Sequence, residues 1–288
     1  MKYIWGILFS AVMIACSTDV ELKQSDYEKQ IVVDGWIETN GYANVYLTLS
    51  SPFLSEYDSV SIRKSFLNYA KITLTNSANE SEILTLFRYD DFFPPFVFRS
   101  VQMKGVEGET YQIKVEVSGK VVTASTTIPK APVITSALMV PVSDSSGLVK
   151  IKVRSVVNNT QRLFTQVRSI KADQYFHPSR IALFDIKPAT EEEITIYRSK
   201  ETNLSAINLK IGPYSGWDLY HYALNDTVYL KIGTVDSISY KVLKSLSMDN
   251  LSVDNPFTFN TGGVQSNISG GIGRWTGIGM APLQMVTK

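Results

Sequence analysis

Through most of this chain apolar side chains recur at every second position. Val45, Leu47 and Leu49 alternate with Asn44, Tyr46, Thr48 and Ser50, and Ile72 and Leu74 alternate with Lys71, Thr73 and Thr75. A period of two belongs to the half-buried strand, whose successive side chains point to opposite faces. The clearest case sets Tyr111, Ile113, Val115 and Val117 against Gln112, Lys114 and Glu116. Ser118 and Gly119 follow, then a second run from Lys120 to Thr127, which predicts a hairpin with a tight turn. The second half repeats the pattern at Val149, Ile151 and Val153, at Ile207, Leu209 and Ile211, and at Val228, Leu230 and Ile232. No long helical pattern separates these strands. The expected fold class is therefore all-β, two tandem antiparallel sandwiches of the immunoglobulin or transthyretin kind.

Ile128 and Pro129 end the last strand of the first half, and Lys130, Ala131 and Pro132 follow. Proline cannot donate to a ladder and holds the residue before it extended, so this is a short, semi-rigid linker. The expected units are a β-sandwich over 31–129 and a second over 130–288, the latter with a glycine-rich tail. One stretch departs from period two: Ile238, Val242 and Leu246 recur every four residues behind Asp236 and Ser237, either of which can cap a helix. A short amphipathic helix over 237–248, packed on the second sandwich, is expected, with a strand as the alternative because Ile238, Tyr240 and Val242 also alternate. Residues 171–180 read as a long inserted loop. Tyr111, at the start of a late strand behind Gly108, fits either a tyrosine corner or an ordinary core tyrosine.

The start of the chain has a different grammar. Lys2 precedes a run from Tyr3 to Ala15 that is apolar or small except at Ser10, the layout of a secretory signal. Thirteen helical residues rise only ~20 Å against a hydrocarbon core of ~30 Å, too short to span. Residues 1–15 are expected to be removed, and Cys16, directly behind the small Ala15, makes the junction resemble a bacterial lipobox. That motif implies diacylglycerol on the Cys16 sulfur and a further acyl chain, such as palmitate, on its amino group. One acyl chain holds a protein only marginally to a membrane, whereas two or three hold it stably. The bland alternative is a chance cysteine at the end of a simple signal. Residues 16–30 are polar and read as a tether.

Charge narrows the partners. Loss of residues 1–15 removes one lysine and no acid from a total of 28 basic and 27 acidic groups, so the mature chain is neutral. No basic field exists for a phosphate backbone, and nucleic acid is not an expected partner. Cys16 is the only cysteine; once acylated, it leaves no disulfide, thiol nucleophile or thiolate metal site. His177 and His221 lie far apart without metal-ligand spacing and read as a loop residue and an aromatic edge. Asp90–Asp91 and Glu191–Glu193 read as solvated loops, because neighbours on a strand face opposite ways. The glycines from Gly270 to Gly279 lack the lysine of a phosphate loop and suit tight turns and close packing. Neither a catalytic constellation nor a cofactor other than the lipid on Cys16 is expected. The candidate binding residues are Tyr89, Phe92, Phe93 and Phe96, crowded around Pro94 and Pro95. The prolines prevent a strand from running through, so these rings either form an exposed docking patch or fold back as a lid on the first core.

The segment Ile31-Val32-Val33-Asp34-Gly35-Trp36-Ile37, the block from Gly108 to Pro129 and the tail from Asn255 through Gly273 to Val286 together resemble a family of Bacteroidota outer-membrane lipoproteins, known as a domain of unknown function. The resemblance implies two β domains behind a lipobox and an accessory or ligand-capture role beside a TonB-dependent outer-membrane receptor. The acids Asp19 and Glu21 behind Cys16 are similar to the export tag of surface lipoproteins, implying exposure to the cell exterior. A fimbrial or adhesin subunit with an exchangeable terminal strand is the alternative, and a surface hydrolase a more remote one.

Overall fold

The computed structural model describes residues 28–51, 59–89, 95–198, 221–252 and 265–288, without the side chains of 59, 61 and 246–252. The chain is all-β, as the alternation predicts. The first half supplies β1 (Ile31–Glu38), β2 (Tyr42–Leu49), the six-residue helix α1 (Ser59–Lys64), β3 (Lys71–Asn76), β4 (Ser81–Ile83), β5 (Thr85–Arg88), β6 (Phe96–Lys104), β7 (Thr110–Val117) and β8 (Lys120–Thr127). The second supplies β9 (Val133–Pro141), β10 (Ser146–Arg154), β11 (Gln161–Ser169), β12 (His177–Ile186), β13 (Glu191–Ile196), β14 (Tyr222–Ala223), β15 (Val228–Val235), helix α2 (Ser237–Ser252), β16 (Ile272–Met280) and β17 (Gln284–Val286). Helix α1 escapes the sequence pattern because a single turn and a half carries no readable period. The 207–211 alternation lies outside the described residues.

Three sheets organise these strands. One large sheet runs β12-β11-β15-β16-β1-β2-β6-β5, with β17 alongside β15; two smaller sheets are β4-β3-β7-β8 and β13-β10-β14, the latter with β9 on β10. The first core lies between the large sheet and β3, β7 and β8, where Val33, Ile37, Val45 and Trp275 meet Ile72, Leu74, Tyr111 and Val115. A second core sets Leu163, Val167, Leu230 and Ile232 against Val149, Ile151, Val153 and Ile196. Two cores thus share one continuous sheet. The hairpin of β7 and β8 closes through Ser118 and Gly119, both at positive φ (49° and 75°), the primed turn that matches strand twist.

The tail departs from the sequence expectation. The end of the tail does join the second unit, with β17 on β15 and Val286 in the second core, but β16 also lies parallel to β1 in the large sheet, with Val33 opposite Gly273 and Trp36 opposite Thr276. Trp275 is fully buried in the first core and donates its ring N–H to the Tyr111 carbonyl at 3.0 Å. Its strand neighbours are glycines for a physical reason. A Cβ on Gly277 would sit 2.8 Å from the Thr127 carbonyl oxygen, and one on Gly279 only 2.0 Å from that of Pro129. The linker therefore crosses directly over this strand. Beyond the reach of β15, Asn267 takes the place of a neighbouring strand: it accepts from the Trp275 N–H at 2.9 Å and donates to its carbonyl at 2.7 Å.

Helix α2 forms where the period of four predicts it, four residues longer than 248. Asp236 is the cap, accepting from the Ser239 N–H at 2.6 Å. The helix covers the outer face of the large sheet through Leu243 against Phe164, Val235 and Ile278. Substituting Trp275 by Ala should cost about 3–5 kcal/mol, the range for emptying an aromatic site in a core, while Asp236→Ala should cost about 1 kcal/mol. Urea unfolding monitored by circular dichroism measures both; a Trp275→Ala loss no larger than the cap's would contradict the packing described.

Candidate functional site

Every second side chain of β1 points away from the cores. Asp34, Trp36 and Glu38 occupy that phase, opposite the buried Val33 and Ile37. Register puts Asp34 between Tyr46 of β2 and Arg274 of β16, and Asn44 of β2 beside Arg99 of β6. The outer face of the large sheet thus carries a row of rings and charges across four strands. Arg274 donates through Nε to Asp34 at 2.5 Å and lies 5.9 Å from the Trp36 ring. Trp36 and Tyr46 are tilted against each other with centroids 5.7 Å apart. Arg99 donates to the Asn44 side-chain oxygen at 2.9 Å and to the Tyr89 hydroxyl at 2.7 Å, with its guanidinium 5.5 Å from the Phe87 ring. Farther along, Lys231 of β15 pairs with Glu38 at 2.8 Å under the Phe176 ring.

The backbone places Arg99 by a bulge. The β2–β6 register shifts between Asn44, opposite Arg99, and Tyr42, opposite Lys104. The shift releases several N–H groups of β6 from the ladder. Glu82 of β4 gathers three of them, from Val101, Gln102 and Met103, at 2.6–3.0 Å, and the Ser100 hydroxyl bridges the Ala43 N–H and the Met103 carbonyl. A carboxylate that accepts three backbone donors fixes a strand segment firmly, and Arg99 stands two residues before it. Burial, assisted by the nearby Tyr89 and Asp34, pushes the Tyr46 hydroxyl up to about 12. It therefore stays a neutral donor and acceptor beside Arg99.

Of the candidate residues read from the sequence, Tyr89 lies on this face. Phe96 points the other way, its ring 6.5 Å from that of Phe66; Phe92, Phe93 and Cys16 lie outside the described residues. As the prolines require, β5 ends at Arg88 and β6 starts only at Phe96, one residue past Pro95. His177 is a correction. It opens strand β12 opposite Val167 rather than lying in a loop, and its Nε2 is 3.2 Å from the buried Asp173 carboxylate, which also accepts from the Ser169 N–H. Glu191–Glu193 are a second correction: they open β13, and Glu193 pairs with Lys150 at 2.8 Å. Among the described residues no three His, Cys, Asp or Glu side chains converge as metal ligands. Trp36, Tyr46 and Arg99 escaped the sequence reading. The available signal was a tryptophan on the polar phase of β1.

Sheet and face together define an all-β protein with a ring-bearing surface on its large sheet. The chain belongs to the domain of unknown function family DUF4249, whose model matches residues 17–279. No curated protein matches. Among solved structures it is similar to a DUF4785 family protein from Legionella pneumophila subsp. pneumophila str. Philadelphia 1, at 13% identity over 71% of this chain and 52% of that one, TM-score 0.21. It is also similar to the native conformation of E. coli alpha-2-macroglobulin, at 7% identity over 72% of this chain and 15% of that one, TM-score 0.21. The chain thus spans about half the length of the first and far less of the second. No helix among the described residues is long and apolar enough to cross a membrane.

Tyr46, like Tyr111 in the first core, titrates at about 12 instead of 10. For each, the folded state holds the proton more tightly than the unfolded chain. The stabilisation is complete below pH 10 and is lost as pH climbs toward 12. Urea midpoints should therefore fall over that interval, and Tyr46→Phe should lessen the fall. A midpoint loss of the same size in the variant would remove Tyr46 as a contributor.

Proposed function

We propose that this protein is a lipid-anchored outer-membrane lipoprotein, facing the cell exterior, that works without catalysis as a ligand-capture or accessory component of a TonB-dependent transport system. The observation that carries the reading is the junction at residue 16. A basic start, an apolar run too short to span, a small residue and the single cysteine stand in register. The family resemblance supplies the transporter context and the Bacteroidota setting. The outer face supports capture: Trp36, Tyr46 and Arg99 offer rings, a neutral hydroxyl and a cation on a rigid sheet. Anchoring confines such a face near the receptor and raises its effective concentration there. The fimbrial alternative needs an exchangeable terminal strand. Against it stands β16, held in place by β1, by Asn267 and by Trp275 in the first core.

Two measurements test the reading. Wild-type protein should incorporate a clickable palmitate and fractionate with outer membranes, and Cys16→Ser should do neither while unfolding at the same urea concentration. A Cys16→Ser chain that is still acylated would overturn the anchor. Affinity purification from solubilised outer membranes should recover a TonB-dependent receptor, and recovery of none would overturn the transport role.

A further inference from the structure

We infer that the row from Trp36 to Arg99 on the outer face is a binding site for a uronic-acid-bearing oligosaccharide, with Arg99 receiving the sugar carboxylate. The inference rests on the capture reading and specifies its ligand. The first argument is charge. The other cations of the row are matched, Arg274 by Asp34 and Lys231 by Glu38, whereas Arg99 has only neutral partners among the described residues, Asn44 and Tyr89. These two bonds use two of the five N–H groups of a guanidinium, and the remaining fork suits a carboxylate. The Tyr46 hydroxyl stands on the neighbouring strand, within the influence of the Arg99 charge, as a further donor.

The second argument separates sugar from polypeptide. A peptide that binds a sheet by strand addition needs unpaired main-chain groups. Here β1 is flanked by β16 and β2, β2 by β1 and β6, and β6 by β2 and β5. Recognition must come from side chains alone. Those present are flat rings interleaved with amide, hydroxyl and guanidinium groups, which match the apolar faces, hydroxyls and carboxylate of an acidic sugar chain laid across the strands.

The test is isothermal titration of the full, detergent-solubilised chain with an oligogalacturonate, a neutral oligogalactoside of equal length and poly-glutamate. The oligogalacturonate should bind at least about 10-fold more tightly than the neutral sugar, as expected for one charge-assisted bidentate contact. Arg99→Gln should abolish that preference, and Trp36→Ala should weaken both sugars. Arg99→Lys, which keeps the charge but not the fork, should fall between wild type and Arg99→Gln; it decides the matter if Arg99→Gln does not fold. Equal affinity for the two sugars, no sugar binding, wild-type affinity in both Arg99 variants, or poly-glutamate binding as tightly as oligogalacturonate would each overturn the inference. Such a failure leaves acylation of Cys16 and receptor recovery untouched, so it is distinguishable from failure of the capture reading.

Discussion

The parallel pairing of β1 with β16 is the contact on which the rest of the molecule depends. It joins residues some 240 positions apart in sequence, and among the described residues it is the one strand pairing that joins the β5-to-β1 part of the large sheet to the β15-to-β12 part. Without β16 the sheet would fall into two pieces, each with an unpaired edge across its own core. Its inner row explains why a third of the strand is glycine. One position delivers the full apolar surface of Trp275 to the first core, while Gly277 and Gly279 are stripped of side chains so that the chain leaving β8 can cross them. A parallel pair needs a long crossover, and here every strand from β2 to β15 lies between the two partners. The large sheet can close only when β16 has arrived, a non-local contact of the kind that makes folding slow.

The same pairing builds the outer face. Because β16 runs in register with β1, Arg274 falls opposite Asp34, and their ion pair holds the guanidinium close to the Trp36 ring. A slip of one residue would turn Trp275 outward and Arg274 into the core, so burial of the tryptophan dictates the position of the arginine. Core and candidate site are two faces of one constraint. Helix α2 takes the apolar share of the outer face, over Phe164, Val235 and Ile278, with Trp36 packed against the margin of that cluster, and the ring-and-charge share continues across β1, β2 and β6.

What the sequence disclosed follows from what is local. Strand periodicity reports burial on one face, and the residues it selected, Ile72 and Leu74, Ile113 and Val115, Ile151 and Val153, Leu230 and Ile232, are all buried. The hairpin at Ser118–Gly119 and the helix behind Asp236 carry their turn and cap chemistry within a few residues, so they too were legible. Pairing partners were not, since period two says which face a residue takes but not which strand lies next to it. The tail therefore read as part of the second unit alone, which holds for β17 on β15 but misses the pairing of β16 with β1. His177 was misplaced for a similar reason: its neighbour Pro178 suggested a loop, yet β12 is an edge strand of the large sheet, where a missing N–H can be tolerated. The site was half legible. Aromatic crowding pointed to Tyr89, but Arg99 matters through Asn44 and Tyr89, one of which lies 55 positions away.

The order of elements gives the face its rigidity. The first strand, β1, has Asp34 and Trp36 as its fourth and sixth residues. The strand that carries the tryptophan of the face thus has β16 and β2 paired on either side, so the outer face rests on a rigid central strand. A loop-borne site would lose part of its binding energy to ordering; a face built on β1 is ordered before its ligand arrives, because burial of Val33, Ile37 and Trp275 on the opposite side has already fixed the backbone that presents it.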